Sequence, residues 1–296
     1  FTQREIRRDV RQAFLELYYQ SQATHVIEHS RQLFEQLVAI TRAHYASGRV
    51  SQQDVLQAQL ELSRLEDRAT KISELADVQR ASLSRWIGEA AWQPVAADFP
   101  LLPETQSLVT LQASLAQHPA IESASARVEA NQQMVKAARE QYKPGVDVGL
   151  EYRKRFGDNA DGSDRPDMMA AMVTLDLPLF TEKRQDRRLA ARQQQTEAAR
   201  QTREQKLREI QRLLKSDYAR WQRLGEQEAL YQQHLLRESS ENAEAALHSY
   251  QSGINEFNTL MRARITELEV RLQAMRIRVD RAKTQARLLF LQGESQ

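Results

Sequence analysis

Residues 261–289 read MRARITELEVRLQAMRIRVDRAKTQARLL, and Met261, Ile265, Leu268, Leu272, Met275, Val279, Ala282, Ala286 and Leu289 fill every seat of an alternating four-three spacing. Arginines and glutamates occupy many of the positions between. Such spacing predicts a helix with a continuous apolar seam, the pattern of a coiled coil. Val55, Ala58, Leu62, Leu65, Ala69, Ile72, Ala76, Leu83 and Trp86 repeat it with one miss at Gln79, and Leu207, Ile210, Leu214, Trp221, Leu224, Tyr231 and Leu235 with misses at Asp217 and Glu228. The opening stretch carries two stripes: Ile6, Val10, Ala13, Leu17, Ile27, Phe34 and Val38, with Val26, Leu33, Leu37 and Ile40 beside them. Two stripes predict two helical neighbours. The expected fold class is mainly α with a small β part.

Short breaks join these stretches in pairs. Tyr45-Ala46-Ser47-Gly48-Arg49-Val50-Ser51 precedes one seam, and Tyr250-Gln251-Ser252-Gly253-Ile254-Asn255-Glu256 precedes another. Tyr, Ser, Gly and Ala recur at a constant offset of 205 residues, which reads as an internal duplication. In each copy a glycine sits where a helix stops in a left-handed conformation, and Ser51 or Asn255 is placed to cap the next helix. Both copies are therefore expected to be antiparallel helical hairpins. The helix from Glu182 to about Tyr250 holds no proline and one glycine, Gly225, and would reach roughly 100 Å at 1.5 Å per residue.

Composition excludes several classes. The 296 residues include 42 basic and 40 acidic side chains of interleaved sign, so no basic field marks a nucleic-acid partner. Without cysteine there is no disulfide, thiolate nucleophile or cysteine metal site. Only 9 glycines and 7 prolines argue against a turn-rich β fold. No run approaches about 18 apolar residues, the length of a spanning helix. The chain opens on Phe1 inside a helical pattern, so sequence is expected in front of it.

A single β signal interrupts the helices. Val146, Val148, Leu150 and Tyr152 alternate with Asp147, Gly149, Glu151 and Arg153; after the polar stretch 157–167, Met169, Ala171, Val173, Leu175, Leu177 and Leu179 alternate with Ala170, Met172, Thr174 and Asp176. Strands of about 9 to 11 residues are long enough to cross a bilayer when tilted. The pattern equally fits a soluble hairpin packed on a helix. In lipid, two strands would have to join others in a closed barrel, because open edges are not tolerated there.

One enzyme signal is present. His25-Val26-Ile27-Glu28-His29 fits the H-x-x-E-H zinc pattern, with a glutamate able to activate water, although it lies in a coiled-coil rod and a third ligand is not evident. Met168, Met169 and Met172 suggest packing more than copper(I) binding. No catalytic, cofactor or metal residue is assigned.

Taken together, the Tyr-x-x-Gly breaks, Asp54-Val55-Leu56-Gln57-Ala58, the duplication and the strand ending Val173-Thr174-Leu175-Asp176-Leu177-Pro178-Leu179-Phe180 before a helix resemble the TolC family of outer-membrane efflux proteins. Asp176-Leu177-Pro178-Leu179-Phe180 followed by Arg184-Gln185-Asp186-Arg187 looks most like its heavy-metal exporting members. The resemblance implies a homotrimer in the outer membrane and periplasm of a Gram-negative bacterium, a conduit that meets outer-membrane lipid, a periplasmic adaptor (membrane fusion protein) and an inner-membrane pump, with no cofactor and no chemistry. It divides the chain into a first helical hairpin (1–88, tip near 47–53), a belt linker (89–117), a helix leading to the membrane (118–144), a barrel hairpin (145–181) and a second helical hairpin (182–296, tip near 251–256). The family's first strand hairpin and the helix before it are expected to precede Phe1. Gly48, Arg49, Val50, Ser51, Gly253, Ile254 and Asn255 become adaptor-docking residues. The family's gate aspartates align with Thr259 and Arg262, neither acidic, so Asp54 and Arg262 are the aperture candidates, paired across protomers. A soluble coiled-coil scaffold or adaptor without channel activity is the alternative.

Overall fold

The computed structural model describes residues 2–254 and 256–292, most of them helical, with one antiparallel hairpin. The chain divides into two units, one formed by 1–118 with 210–296 and the other by 119–209.

In the first unit α1 (Thr2–Ala46) and α2 (Gln52–Ile87) form one pair, and α6 (Leu236–Gln251) and α7 (Phe257–Gln292) another. The two stripes of α1 find the two neighbours they require, since α1 packs on both α2 and α7. Its helix partner α2 starts at a capping box: the Asp54 amide donates to Ser51 Oγ at 3.3 Å while the Ser51 amide donates to the Asp54 carboxylate at 3.0 Å. Ala58, Leu65, Ile72, Ala76 and Leu83 of its seam are buried. The most enclosed helix is α7, where Leu268, Leu272, Val279, Ala282, Ala286 and Leu289 of the seam are joined in burial by Leu260, Ala263, Ile277, Leu288 and Leu291. A buried leucine contributes about 1.5–3 kcal/mol, so this helix anchors the unit. The belt segment is strapped across it: Tyr18 donates to the Ala97 carbonyl at 2.9 Å, Gln285 to the Pro103 carbonyl at 2.6 Å, and the Arg278 guanidinium sits 4.1 Å from the Phe99 ring centre. Within the belt, residues 108–114 form a short helix, α3 (Leu108–Ser114).

The two seam misses are occupied by ion pairs. On α5 (Gln185–Leu230), Asp217 accepts from Arg287 at 2.9 Å and Glu228 from Arg281 at 2.8 Å, both cations belonging to α7. Asp217 and Glu228 face inward as the heptad demands, with their charges met by arginine. Gly225 eases the approach, since a Cβ there would lie 3.2 Å from Arg281 Nε and the guanidinium would have to shift slightly.

The expected unbroken helix from Glu182 needs two corrections. A 3₁₀ turn, Thr181–Lys183, precedes α5, and a π-turn, Tyr231–Leu235, separates α5 from α6. The stripe explains the π-turn: inward positions run 217, 221, 224, 228, 231 and 235, then 239, 243, 246 and 250, so one residue more than four-three alternation allows falls between Leu235 and Ser239, at the end of that turn. A wide turn absorbs that residue and keeps the stripe facing α7.

The second unit holds α4 (Pro119–Glu140), β1 (Gly145–Arg153), β2 (Met168–Asp176) and α5 up to Glu209. Arg203 donates to Ser125 at 2.8 Å and Arg188 to Gln141 at 2.7 Å, an order that sets α4 and α5 antiparallel. The second strand ends at Asp176, short of the expected Leu179. Gly145, directly after Pro144, is the last residue able to pair, and Pro178 has no amide to extend the ladder.

A cluster at Glu16 ties α1 to α7. Its carboxylate accepts from Arg276 and Lys283, each at 2.7 Å, and Arg276 also meets Asp280 at 2.9 Å. Burial pushes the Glu16 pKa up, but the hydrogen bonds from Arg276 and Lys283 outweigh it and hold the pKa below its ordinary value. A depressed folded-state pKa gives stability that is present above the unfolded value and lost as pH falls through the folded one. Glu16→Gln is therefore expected to cost roughly 1–3 kcal/mol at pH 7 in urea unfolding followed by circular dichroism, with the deficit shrinking below about pH 4. A deficit that stays constant down to pH 2 would show that the charge plays no part.

Candidate functional site

Both helix breaks fold into the same turn. Gly48 and Gly253 have φ of 71° and 73°. In the first, the Gly48 amide donates to the Tyr45 carbonyl at 2.9 Å and the Arg49 amide to the His44 carbonyl at 2.9 Å; in the second, Gly253 donates to Tyr250 at 3.0 Å and Ile254 to Ser249 at 2.9 Å. These are paired Schellman caps, which satisfy the last carbonyls of each helix and demand a left-handed residue that glycine supplies without strain. Ser47 and Ser252 hydroxyls take up further carbonyls at His44 and His248, both at 2.9 Å. The duplication thus extends to individual backbone bonds.

The structure brings the two tips, 205 residues apart, onto one cleft of about 510 Å³. Gly48, Arg49, Val50 and Ser51 line it from the first tip and Gly253 and Ile254 from the second, with Asp54 at its side. Asn255 lies outside the described residues. Arg262 is exposed on α7 and does not line the cleft. Asp54 has a local task, since its carboxylate accepts from both the amide and the hydroxyl of Ser51, at 3.0 and 2.9 Å.

Three residues that the sequence did not place in the site, His44, Tyr250 and Phe257, pack together at the tips. His44 Nδ1 lies 3.3 Å from the Tyr250 hydroxyl, and the Tyr250 ring meets Phe257 edge to face at 5.8 Å. Tyr250 is 6% exposed, and burial raises the pKa of its phenol, so it stays neutral. Its counterpart in the first copy, Tyr45, is 49% exposed. Only the burial difference separates them, and the duplicated sequence holds no signal for it. Ile254, 78% exposed, leaves an apolar side chain on the cleft that Arg49 and Glu256 also line. Such a cleft offers apolar contact, charges of both signs and exposed turn backbone, which suits another helical hairpin better than a small substrate.

A second surface is the β-hairpin. Its register pairs Val146 with Leu175, Val148 with Val173, Leu150 with Ala171 and Tyr152 with Met169, collecting the apolar halves of both strands on one face. The other face carries Asp147, Glu151, Arg153, Thr174 and Asp176 among its small and methionine residues. Every residue of both strands is exposed, so none of the described helices packs on the hairpin. No helix among the described residues is long and apolar enough to cross a membrane.

The zinc pattern does not assemble into a site. His25 and His29 are exposed on α1, and Glu28 is held below its ordinary pKa by Arg31, 2.6 Å away. Among the described residues, no three metal-binding side chains converge.

The family model of the outer membrane efflux protein matches residues 110–294. No curated protein sequence matches the chain. Among solved structures, a membrane protein from Pseudomonas aeruginosa superposes with a TM-score of 0.88 at 17% identity, over 96% of this chain and 65% of that one. The outer membrane protein VceC from Vibrio cholerae gives 0.85 at 19%, over 97% and 69%, and CusC 0.84 at 17%, over 96% and 67%. The likeness is one of fold, and the chain spans about two thirds of the length of these neighbours.

Proposed function

Because the chain belongs to the outer membrane efflux protein family, we propose that it forms the outer-membrane channel of a tripartite efflux system, a passive conduit without enzymatic chemistry. The observation that carries this is the bare hairpin face: Val146, Val148, Leu150 and Tyr152, with Leu175, Val173 and Met169 opposite, are each more than half exposed on a sheet with two open edges. That arrangement is unfavourable in water and fits a barrel wall in lipid. A soluble scaffold would leave the same face wet. The family resemblance at Asp176-Leu177-Pro178-Leu179-Phe180 supports heavy-metal cations as cargo.

The family resemblance implies a homotrimer, and the duplication supports a ring of copies. Within the chain α1 packs on α7, the first helix of one copy against the second helix of the other. The reciprocal contact, α6 against α2, is not among the main helix pairings of the described residues. Leu56 and Leu60 of α2 stand 56% and 51% exposed, while their equivalents Met261 and Ile265 are packed into the core. A neighbouring copy that brings its α6 to this bare face repeats the internal contact between chains, and such head-to-tail interfaces close into rings. The tip cleft, with Gly48, Arg49, Val50, Ser51, Gly253 and Ile254, then faces the periplasmic adaptor, and Asn255 completes that set by its place in the sequence. Asp54 and Arg262 of adjacent protomers form the aperture pair.

Leu33 and Leu268 line one crevice where α1 meets α7. By the same offset, Glu238 and Ser63 of adjacent copies should meet. In the otherwise cysteine-free chain, Ser63→Cys with Glu238→Cys is expected to cross-link into a trimer on mild oxidation in detergent, each single variant staying monomeric on gels. Cross-linking confined within one chain, or none, would remove the ring. Arg262→Glu is expected to raise ion conductance in bilayer recordings, and unchanged conductance would remove the Asp54–Arg262 pair.

A further inference from the structure

The apolar alternation of β2 outlasts its ladder. Leu177 and Leu179 keep the odd-numbered places of Met169, Val173 and Leu175 and stand 50% and 67% exposed, and the stripe ends at Phe180, 91% exposed. Phe180 is the one non-glycine residue with positive φ among the described residues, with φ 60° and ψ 58°. Its Cβ crowds the backbone in that conformation, so the turn from strand to helix sets a bulky ring outward where glycine would fit more easily. The character of the chain then changes abruptly. Only Thr181 and Glu182 separate Phe180 from Lys183 and Arg184, and Arg187 follows in the first turn of α5. These three cations are exposed and form no ion pair among the described residues. The charges beside them are engaged: Asp186 accepts from the Tyr142 hydroxyl at 2.5 Å, Arg188 donates to Gln141 at 2.7 Å, and Lys143 is paired with Glu140. Glu182, also exposed, opposes the three, whereas Asp147 and Asp176 belong to the other face of the sheet. All of these residues lie in the second unit.

We propose that this junction is a docking surface for anionic phospholipid: Leu177, Leu179 and Phe180 sit at the edge of the hydrocarbon, and Lys183, Arg184 and Arg187 hold headgroup phosphates of the leaflet nearest the helices. The proposal rests on the outer-membrane reading of the hairpin and adds to it a choice of lipid. The order along the chain selects the occupant. An apolar stripe continuous with the hairpin face passes within three residues into unpaired cations, the succession of environments met on leaving hydrocarbon through a charged headgroup layer. Free phosphate would meet the cations and leave the stripe wet. A zwitterionic headgroup would cover the stripe and bring no net charge. Each cation held near an anionic membrane surface raises binding about five-fold.

The measurement is electron spin resonance of the whole chain reconstituted in phosphatidylcholine vesicles with a trace of spin-labelled phosphatidylglycerol or spin-labelled phosphatidylcholine, read as the ratio of the two immobilised at the protein surface. The expected ratio, averaged over all lipid touching the protein, favours phosphatidylglycerol by about 5-fold at low salt and shrinks as sodium chloride is added. Replacing the three cations together, Lys183→Gln, Arg184→Gln and Arg187→Gln, should bring the ratio to about 1. Glu182→Gln, which removes the opposing charge, should raise it by about 2-fold, a gain that misfolding would not produce. A ratio near 1 in the unaltered protein overturns the proposal, as it would if a neighbouring copy covered the junction. So does a preference that survives the triple substitution or fails to rise in Glu182→Gln. Loss of the preference on adding inorganic phosphate, at an ionic strength where chloride leaves it intact, assigns the cations to a free anion and also overturns it. Immobilised lipid without headgroup preference keeps the hairpin in the membrane and defeats this proposal alone. No immobilised lipid of either kind defeats the outer-membrane reading with it.

Discussion

A two-stranded sheet with one apolar face and two unpaired edges is not a finished structure. Its backbone donors and acceptors on each outer edge need partners, and its apolar face needs a solvent other than water. Every residue from Gly145 to Arg153 and from Met168 to Asp176 is exposed in the single chain, so this requirement is met outside it. The helices carry a similar debt on a smaller scale: α7 is enclosed by its own chain, while α2 keeps Leu56 and Leu60 bare at the positions matching two packed residues of α7. On the proposed reading, neighbouring copies would supply what each of these faces lacks.

Much of the helical architecture was legible in the apolar spacing. The α7 seam from Met261 to Leu289 turned out buried or half-buried at every seat, and the two stripes of α1 correctly implied two neighbours. The tip turns were readable as well, because only glycine fits a left-handed cap cheaply and Ser51 with Asp54 spells a capping box. What could not be read was which groups meet across the fold. Asp217 and Glu228 looked like defects in a seam because a heptad shows that a position faces inward and says nothing about an arginine arriving from a helix some 50 to 70 residues away. The π-turn was hidden for a related reason: a surplus residue is visible only once the inward positions on both sides of it are known.

The candidate site shows the same division. Spacing identified each tip separately and gave nothing to join them, since the join depends on His44, Tyr250 and Phe257, ordinary seam and cap residues by sequence. Tyr45 and Tyr250 occupy matching places in a duplicated motif, yet one is exposed and the other forms the joint. Duplication therefore supplies two equal turns, and packing makes them unequal. An adaptor that docked on this cleft would meet a surface built from both copies, so affinity for it would report on the joint as much as on either turn.

The central claim is that the hairpin's two faces lie in different solvents, and site-directed spin labelling tests it most directly. Nitroxides placed singly at 146, 148, 150 and 152 and at 147, 149 and 151, in protein reconstituted in lipid vesicles, report collisions with oxygen, which concentrates in hydrocarbon, and with a water-soluble nickel chelate. The account predicts a two-residue alternation, with the even-numbered positions favouring oxygen and the odd-numbered ones the chelate. Equal access of the chelate to both sets, at every position, would contradict it.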